Sequence, residues 1–302
     1  MDAVQGIYAA AITPRGAQGD IDFGAAFELI DFLSRSGAQG IALFTAAGEY
    51  PAVPAGDRSR LAYLAVKRSR VPLLAGVGSA TLDDSVALGR EARDAGAAGL
   101  LLPPPYFFRY EQDDLREYYL QFAAHVEGVP IYLSHVAECA TRIDAETAAE
   151  LFASGKFAGM EEASGDSGAW GRLARRNGGR PGGPSYLVGH DGCLRAGLAA
   201  GAHGAVSPAA CAIPELVLAL ARAIAAGNAD EADGLEKNIA AFLEWVEQVP
   251  RPVILKVATG MRGLKTGPVT TPLCAEKARK VDAFREWFQG WMPAVTRRPA
   301  NA

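Results

Sequence analysis

The chain has 302 residues, 49% of them apolar and 21% charged, with a formal net charge of -4. That length is long for one ordinary domain and short for two, but α/β barrels routinely reach it as a single unit. The composition is ordinary for a soluble protein with a large core, and the weakly acidic balance excludes an electrostatic footprint for nucleic acid or an anionic membrane. The basic clusters Lys67-Arg68-Ser69-Arg70, Arg172 to Arg176 and Arg297-Arg298 read as solvated helix ends and a tail.

Short apolar runs alternate with longer helical segments from the start of the chain. Strands are expected at Ile7–Ile12, Gly40–Phe44, Leu73–Val77, Gly99–Leu102, Pro130–Ser134, Phe157–Glu161, Tyr186–Gly189 and Gly204–Ser207. Between them lie amphipathic stretches such as FGAAFELIDFLSRSG, DRSRLAYLAVKRS, LDDSVALGREARDAG and EQDDLREYYLQFAAHVEG. Gly37, Gly96, Gly128 and Gly155 suit left-handed helix ends. The strands recur about every 28 residues, a plausible length for a βα unit. Eight such units predict a closed (β/α)8 TIM barrel, an α/β fold, rather than an open doubly wound sheet. An open sheet would normally carry a nucleotide loop after its first strand, and ITPRGAQGD has no such pattern.

The barrel strands and most barrel helices are assigned to residues 1–212. The last barrel helix and a C-terminal helical extension, holding three of the four tryptophans, take 213–295, and 296–302 is expected to be a disordered tail. Cys139, Cys193, Cys211 and Cys274 form no CxxC pair and are expected to be small core hydrophobes. With no signal-peptide pattern in MDAVQGIYAAAITPRG and no apolar run of membrane-spanning length, a reducing cytoplasm is the expected location.

In a TIM barrel the active site lies at the C-terminal ends of the strands. Those ends supply Thr13; Thr45 to Glu49; Pro103 to Phe107; Tyr132, Ser134 and His135; Glu161 and Ser164; Gly189, His190 and Asp191; and Ser207. GMEEASGD (159–166) puts two carboxylates side by side on a strand, so one must face inward, where an ionised carboxylate is costly unless paired. Tyr132 can equally be a core tyrosine, His135 a loop residue and Asp191 a helix cap. A metal site would need His135, Glu161 and Glu49 to converge, without any HxH or HExxH spacing. There is no GxSxG elbow for a serine nucleophile. No metal and no other cofactor is called for.

Taken together the strand ends resemble the dihydrodipicolinate synthase / N-acetylneuraminate lyase family. The resemblance rests on AAAITPRGAQGDID, FTAAGEYPAV, LLLPPPYFF, IYLSH, GMEEASGD, VGHDGCLRAGLAAGAHGAVSPAAC and PVILKVATGMRG, in family order. It implies a class I aldolase-type lyase or dehydratase on a (β/α)8 barrel, acting on a small 2-oxo or hydroxy acid, as a homodimer or homotetramer. LLLPPPY leans towards sugar-acid dehydratases. The family's chemistry uses a strand-six lysine that forms a Schiff base with the 2-oxo group. Here that position holds Glu161, and Glu162 matches the family's own acidic residue. A carboxylate cannot form an imine. Lys156 lies about five residues away, roughly 16 Å, and Lys256 matches a lysine of the C-terminal helices.

The family's carboxylate-binding hydroxyl pair falls on Ala46 and Ala47, which retain only backbone N–H groups. Its strand-five arginine falls near Ala137-Glu138, with Arg142 further on, and Phe107 replaces a second tyrosine. The resemblance therefore implies Glu161, Tyr132 and Tyr106 as catalytic residues. Ala46, Ala47, Gly48, Glu49, His135, Ser164, Gly189 and Ser207 are the implied substrate-binding set, with His135 as a replacement cation. Two functions stay open: acid-base chemistry without a Schiff base, or a degenerate member that binds a metabolite or plays a regulatory or structural role.

Overall fold

A computed structural model of the chain describes residues 4–166, 168 and 183–296. The basic clusters at Arg172 to Arg176 and Arg297-Arg298, and the tail beyond Thr296, lie outside these residues. Among the described residues eight strands form: β1 (Gly6–Ala10), β2 (Gly40–Leu43), β3 (Leu73–Gly76), β4 (Gly99–Leu102), β5 (Ile131–His135), β6 (Gly159–Glu162), β7 (Ser185–Val188) and β8 (Gly204–Ser207). Each pairs in parallel with the next, and β8 pairs with β1, closing the barrel that the sequence predicts. Parallel strands covered on both faces read as continuous apolar runs, which is why GIAL and GLLL are wholly buried.

Among the described residues the helices between strands are α1 (Phe23–Arg35), α2 (Ala55–Arg68), α3 (Leu82–Ala95), α4 (Gln112–His125), α5 (Ala145–Ala153) and α6 (Leu194–Ala199), and the short α7 (Ala209–Ala212) follows β8. Their starts are set locally. Asp22 accepts from the Ala25 N–H, Thr81 accepts from the Asp84 N–H, and Glu111 and Asp114 cap α4 reciprocally. Their inner faces bury residues at helical spacing, as Ala26, Leu29, Ile30 and Leu33 do on α1. All four glycines expected at helix ends have positive φ, from 71° at Gly155 to 95° at Gly96.

Beyond the barrel come α8 (Pro214–Ala225), α9 (Ala229–Val246), α10 (Arg251–Met261) and α11 (Ala275–Thr296). Phe242, Trp245, Phe284, Trp287, Phe288 and Trp291 pack together between α9 and α11, with Trp287 stacked on Trp291 at 4.6 Å. This aromatic cluster joins the C-terminal half of α9 to α11. The cysteine expectation holds only in part: Cys211 is buried and Cys193 half-buried, but Cys139 and Cys274 are exposed, and all four are free. Among the described residues no helix is long and apolar enough to cross a membrane.

Candidate active site

Strand pairing and the cavity lining together decide which glutamate faces inward. Ser134 stands opposite Glu161, and His135 stands opposite Glu162. Side chains alternate along each strand, so the two pairs occupy opposite faces of the sheet. Glu161 and Ser134 line a cavity of about 760 Å³, measured out to its open mouth, together with Ala10, Ala163 and Gly189 of neighbouring strand ends. The turn Ala46–Gly48 after β2 contributes Ala46 and Ala47, and Thr45 precedes it. Leu243, Val246, Glu247, Arg251 and Leu255 close the rim from α9 and α10.

Glu161 is 4% exposed and accepts a hydrogen bond from the Ser134 hydroxyl at 2.6 Å. Burial pushes its pKa up to about 7; the Ser134 hydrogen bond opposes the rise and the charge of Glu162 adds to it. Gly189 makes room for this side chain, since a Cβ there would stand 2.9 Å from Glu161 Cγ and 2.7 Å from Ala163 Cβ. Thr45 Oγ1 is buried without a hydrogen-bond partner among the described residues.

Asp191 also lines the cavity. Its carboxylate accepts from the Ser207 hydroxyl and from the Ala209 N–H at 2.7 Å, so it ties β7 to β8 and the start of α7. Burial raises its pKa, and those two hydrogen bonds oppose the rise. Asp191 thus caps the start of α7 rather than the helix that directly follows it in sequence.

On the outer face, His135 Nδ1 lies 2.8 Å from Glu162 Oε2, and the Ser164 N–H donates to Glu162 Oε1 at 2.7 Å. An ionised carboxylate only accepts, so Nδ1 carries the hydrogen. Burial alone would raise the Glu162 pKa, but the hydrogen bond and charge of His135, with Ser164, hold it below the ordinary value. His135 and Ser164 serve this pair and do not line the cavity, which corrects their assignment to substrate binding.

Other expected site residues lie elsewhere. Tyr132 pairs with Gly159, one inward-facing layer below Ser134 and Glu161. Its hydroxyl accepts from the Val4 N–H at 3.0 Å, at the end of the barrel where β1 begins. The residue in the layer of Glu161 is Ser134. Tyr106 packs edge-on against Tyr50, 5.7 Å between ring centres, and is not in the cavity wall.

Glu49, left-handed at φ 54°, is buried against Lys256 Nζ at 2.5 Å and accepts from the Thr270 hydroxyl at 2.8 Å. Gly48 contributes its carbonyl to Thr13 Oγ1 at 2.6 Å, and Ser207 acts through Asp191. Both Glu49 and Gly48 therefore fix the turn that presents Ala46 and Ala47. His135, Glu161 and Glu49 do not converge on one point, each being held by a different partner, and no metal-binding group of three forms among the described residues.

Two lining residues that the sequence reading passed over are Arg251 and Glu247. Each lies at a helix end, and nothing in their local pattern says that the extension folds back over the barrel. Among the described lining residues there is no lysine. Lys256 is committed to Glu49 and to the Pro268 carbonyl, Lys156 is exposed before β6, and Arg142 points to Asp166 at 3.5 Å.

A closed parallel barrel with a cavity at its strand ends and a helical extension lining the rim places the chain among the (β/α)8 barrel proteins. Within that class the chain belongs to the dihydrodipicolinate synthetase family, whose model matches residues 3–289. It is 31% identical to 4-hydroxy-tetrahydrodipicolinate synthase 1 of Streptomyces coelicolor, over 97% of this chain and 93% of that one. The 4-hydroxy-tetrahydrodipicolinate synthase structure from Methylacidiphilum fumariolicum SolV superposes with a TM-score of 0.88 at 27% identity, covering 97% and 98% of the two chains. N-acetylneuraminate lyase from Mycoplasma synoviae shares the fold, with a TM-score of 0.84 at 17% identity over 95% and 97%. Relatives are thus named as synthases or lyases.

Proposed function

We propose that the protein is a lyase or dehydratase acting on a small 2-oxo or hydroxy acid by acid-base chemistry, with no Schiff base. The observation that carries this is the Glu161 carboxyl on the cavity floor, hydrogen-bonded to Ser134, pushed up to about 7, with no lysine among the described lining residues. A carboxyl with that pKa is present in both protonation states near neutrality, which suits proton transfer in either direction. In its ionised form it accepts a proton from the carbon beside the oxo or carboxyl group. In its protonated form it returns a proton to a departing hydroxyl or to the carbon.

Ser134 keeps one carboxyl oxygen oriented and leaves the other for substrate. Ala46 and Ala47 offer their backbone N–H groups, and Thr45 a hydroxyl unpaired among the described residues, to the carboxylate at the reacting end. A neutral Glu161 also spares that carboxylate a like charge. The four free cysteines agree with a cytoplasmic setting. A homodimer or homotetramer belongs to the same reading, supported by the exposed Phe107 and Phe108.

Glu161→Gln tests the proposal. Turnover on a panel of 2-oxo and sugar acids is expected to fall by about 100-fold or more with the circular dichroism unchanged. Borohydride in the presence of pyruvate is expected to trap no adduct, and a covalent amine adduct in the mass spectrum would overturn the mechanism. A second reading, a family member that binds a metabolite without turnover, is favoured by the Tyr132 hydroxyl being occupied by Val4. In that case Glu161→Gln has no turnover to change.

A further inference from the structure

We infer that Arg251 selects substrates carrying a second anionic group, so that the ligand is a short 2-oxo or 2-hydroxy dicarboxylic acid. This rests on the acid-base reading of the same cavity and adds the end of the substrate that does not react. Among the described lining residues Arg251 is the sole lysine or arginine. It stands at the first position of α10, between Pro250 and Pro252, whose fixed φ angles hold the helix start in place.

Its Nη2 donates to Glu138 Oε1 at 2.8 Å. Glu138 lies just after β5, on the segment that carries the lining residue Val136, so the ion pair joins two walls of the mouth. Only that nitrogen is engaged with Glu138, and a guanidinium has further N–H donors to offer a carboxylate. A half-exposed ion pair is worth little by itself, so an incoming carboxylate can share or replace Glu138 at small cost.

The neighbouring charges do not supply this function. Asp191 and Glu247 are acidic, and Asp191 is taken up by Ser207 and Ala209. His190 accepts from the Gly192 N–H at Nδ1. The remaining lining on the side of Arg251 is apolar: Val136, Leu243, Val246 and Leu255, with Ala163 at the strand ends. Glu161 and Ser134 at the strand ends, a cation at the rim and apolar side chains beside it match an aliphatic chain with an acid at each end.

Calorimetric binding of 2-oxoglutarate and 2-oxopentanoate tests this, since the two acids share a five-carbon chain and differ in the distal carboxylate. The native protein is expected to prefer 2-oxoglutarate by about tenfold, and the preference should shrink as salt is raised. Arg251→Gln should abolish the preference by weakening 2-oxoglutarate alone. Glu161→Gln should retain it even with turnover gone, so this inference and the acid-base proposal can fail separately. Equal affinity of the native protein for the two acids, binding of neither, or equal weakening of both by Arg251→Gln would overturn it.

Discussion

The two faces of the β5–β6 ladder carry the same kind of pair, a carboxylate opposite a polar residue, and treat it in opposite ways. Inside the barrel Glu161 meets a neutral hydroxyl, and burial wins: its pKa rises to about 7. Outside, Glu162 meets His135 and a backbone N–H, and pairing wins: its pKa falls below the ordinary value. Both groups are removed from water to nearly the same extent, 4% and 5% exposed. The difference teaches that depth alone does not set the state of a buried acid; the partner's charge decides whether burial is compensated.

The comparison breaks most severely at the outer pair. Glu162→Ala leaves His135 buried without its carboxylate and is expected to cost about 3–5 kcal/mol in denaturant unfolding, in line with removal of one member of a buried pair. Glu162 also contributes stability above its unfolded pKa that is lost as pH falls through its lower native value.

Glu161 runs the other way. Between the unfolded value of 4.5 and the native value of about 7, the native state keeps a proton that the unfolded chain has released, so stability falls as pH rises through that window. Glu161→Gln, which cannot ionise, is therefore expected to be more stable than the native protein by roughly 3 kcal/mol at pH 8, with this ionisation gain gone by pH 4. Thermal melts across that range measure it, and a flat difference would show that Glu161 is not desolvated as described. The smallest expected effect is that of Ser134→Ala. Loss of its hydrogen bond should move the Glu161 pKa further up and cost about 1 kcal/mol at pH 8, read from the same melts.

Legibility in the sequence followed the range of the interactions involved. The eight strands, the glycine-ended helices and the order of the family motifs were all readable, because apolar runs, caps and left-handed glycines act over a few residues. That Glu161 and not Glu162 faces inward was inferred from the resemblance and agrees with the strand pairing. Tyr132 was the instructive miss. A tyrosine in IYLSH has the right parity for the barrel interior, but parity repeats every second residue, and the two-residue difference between Tyr132 and Ser134 separates a packed lower layer from the cavity floor. His135 has the opposite parity and went with Glu162.

By itself the sequence determined the barrel and the presence of an acid on strand six, since alternation and periodicity are properties of the chain, and the order of its motifs carried the family resemblance. Only the tertiary structure decided which side chains share the cavity. The depth of Tyr132, the diversion of Glu49 to Lys256 and the arrival of Arg251 over the mouth depend on strand stagger and on a helical extension packed by aromatic side chains far along the chain. Such contacts join residues more than a hundred positions apart, as Arg251 joins Glu138, and no local pattern encodes them.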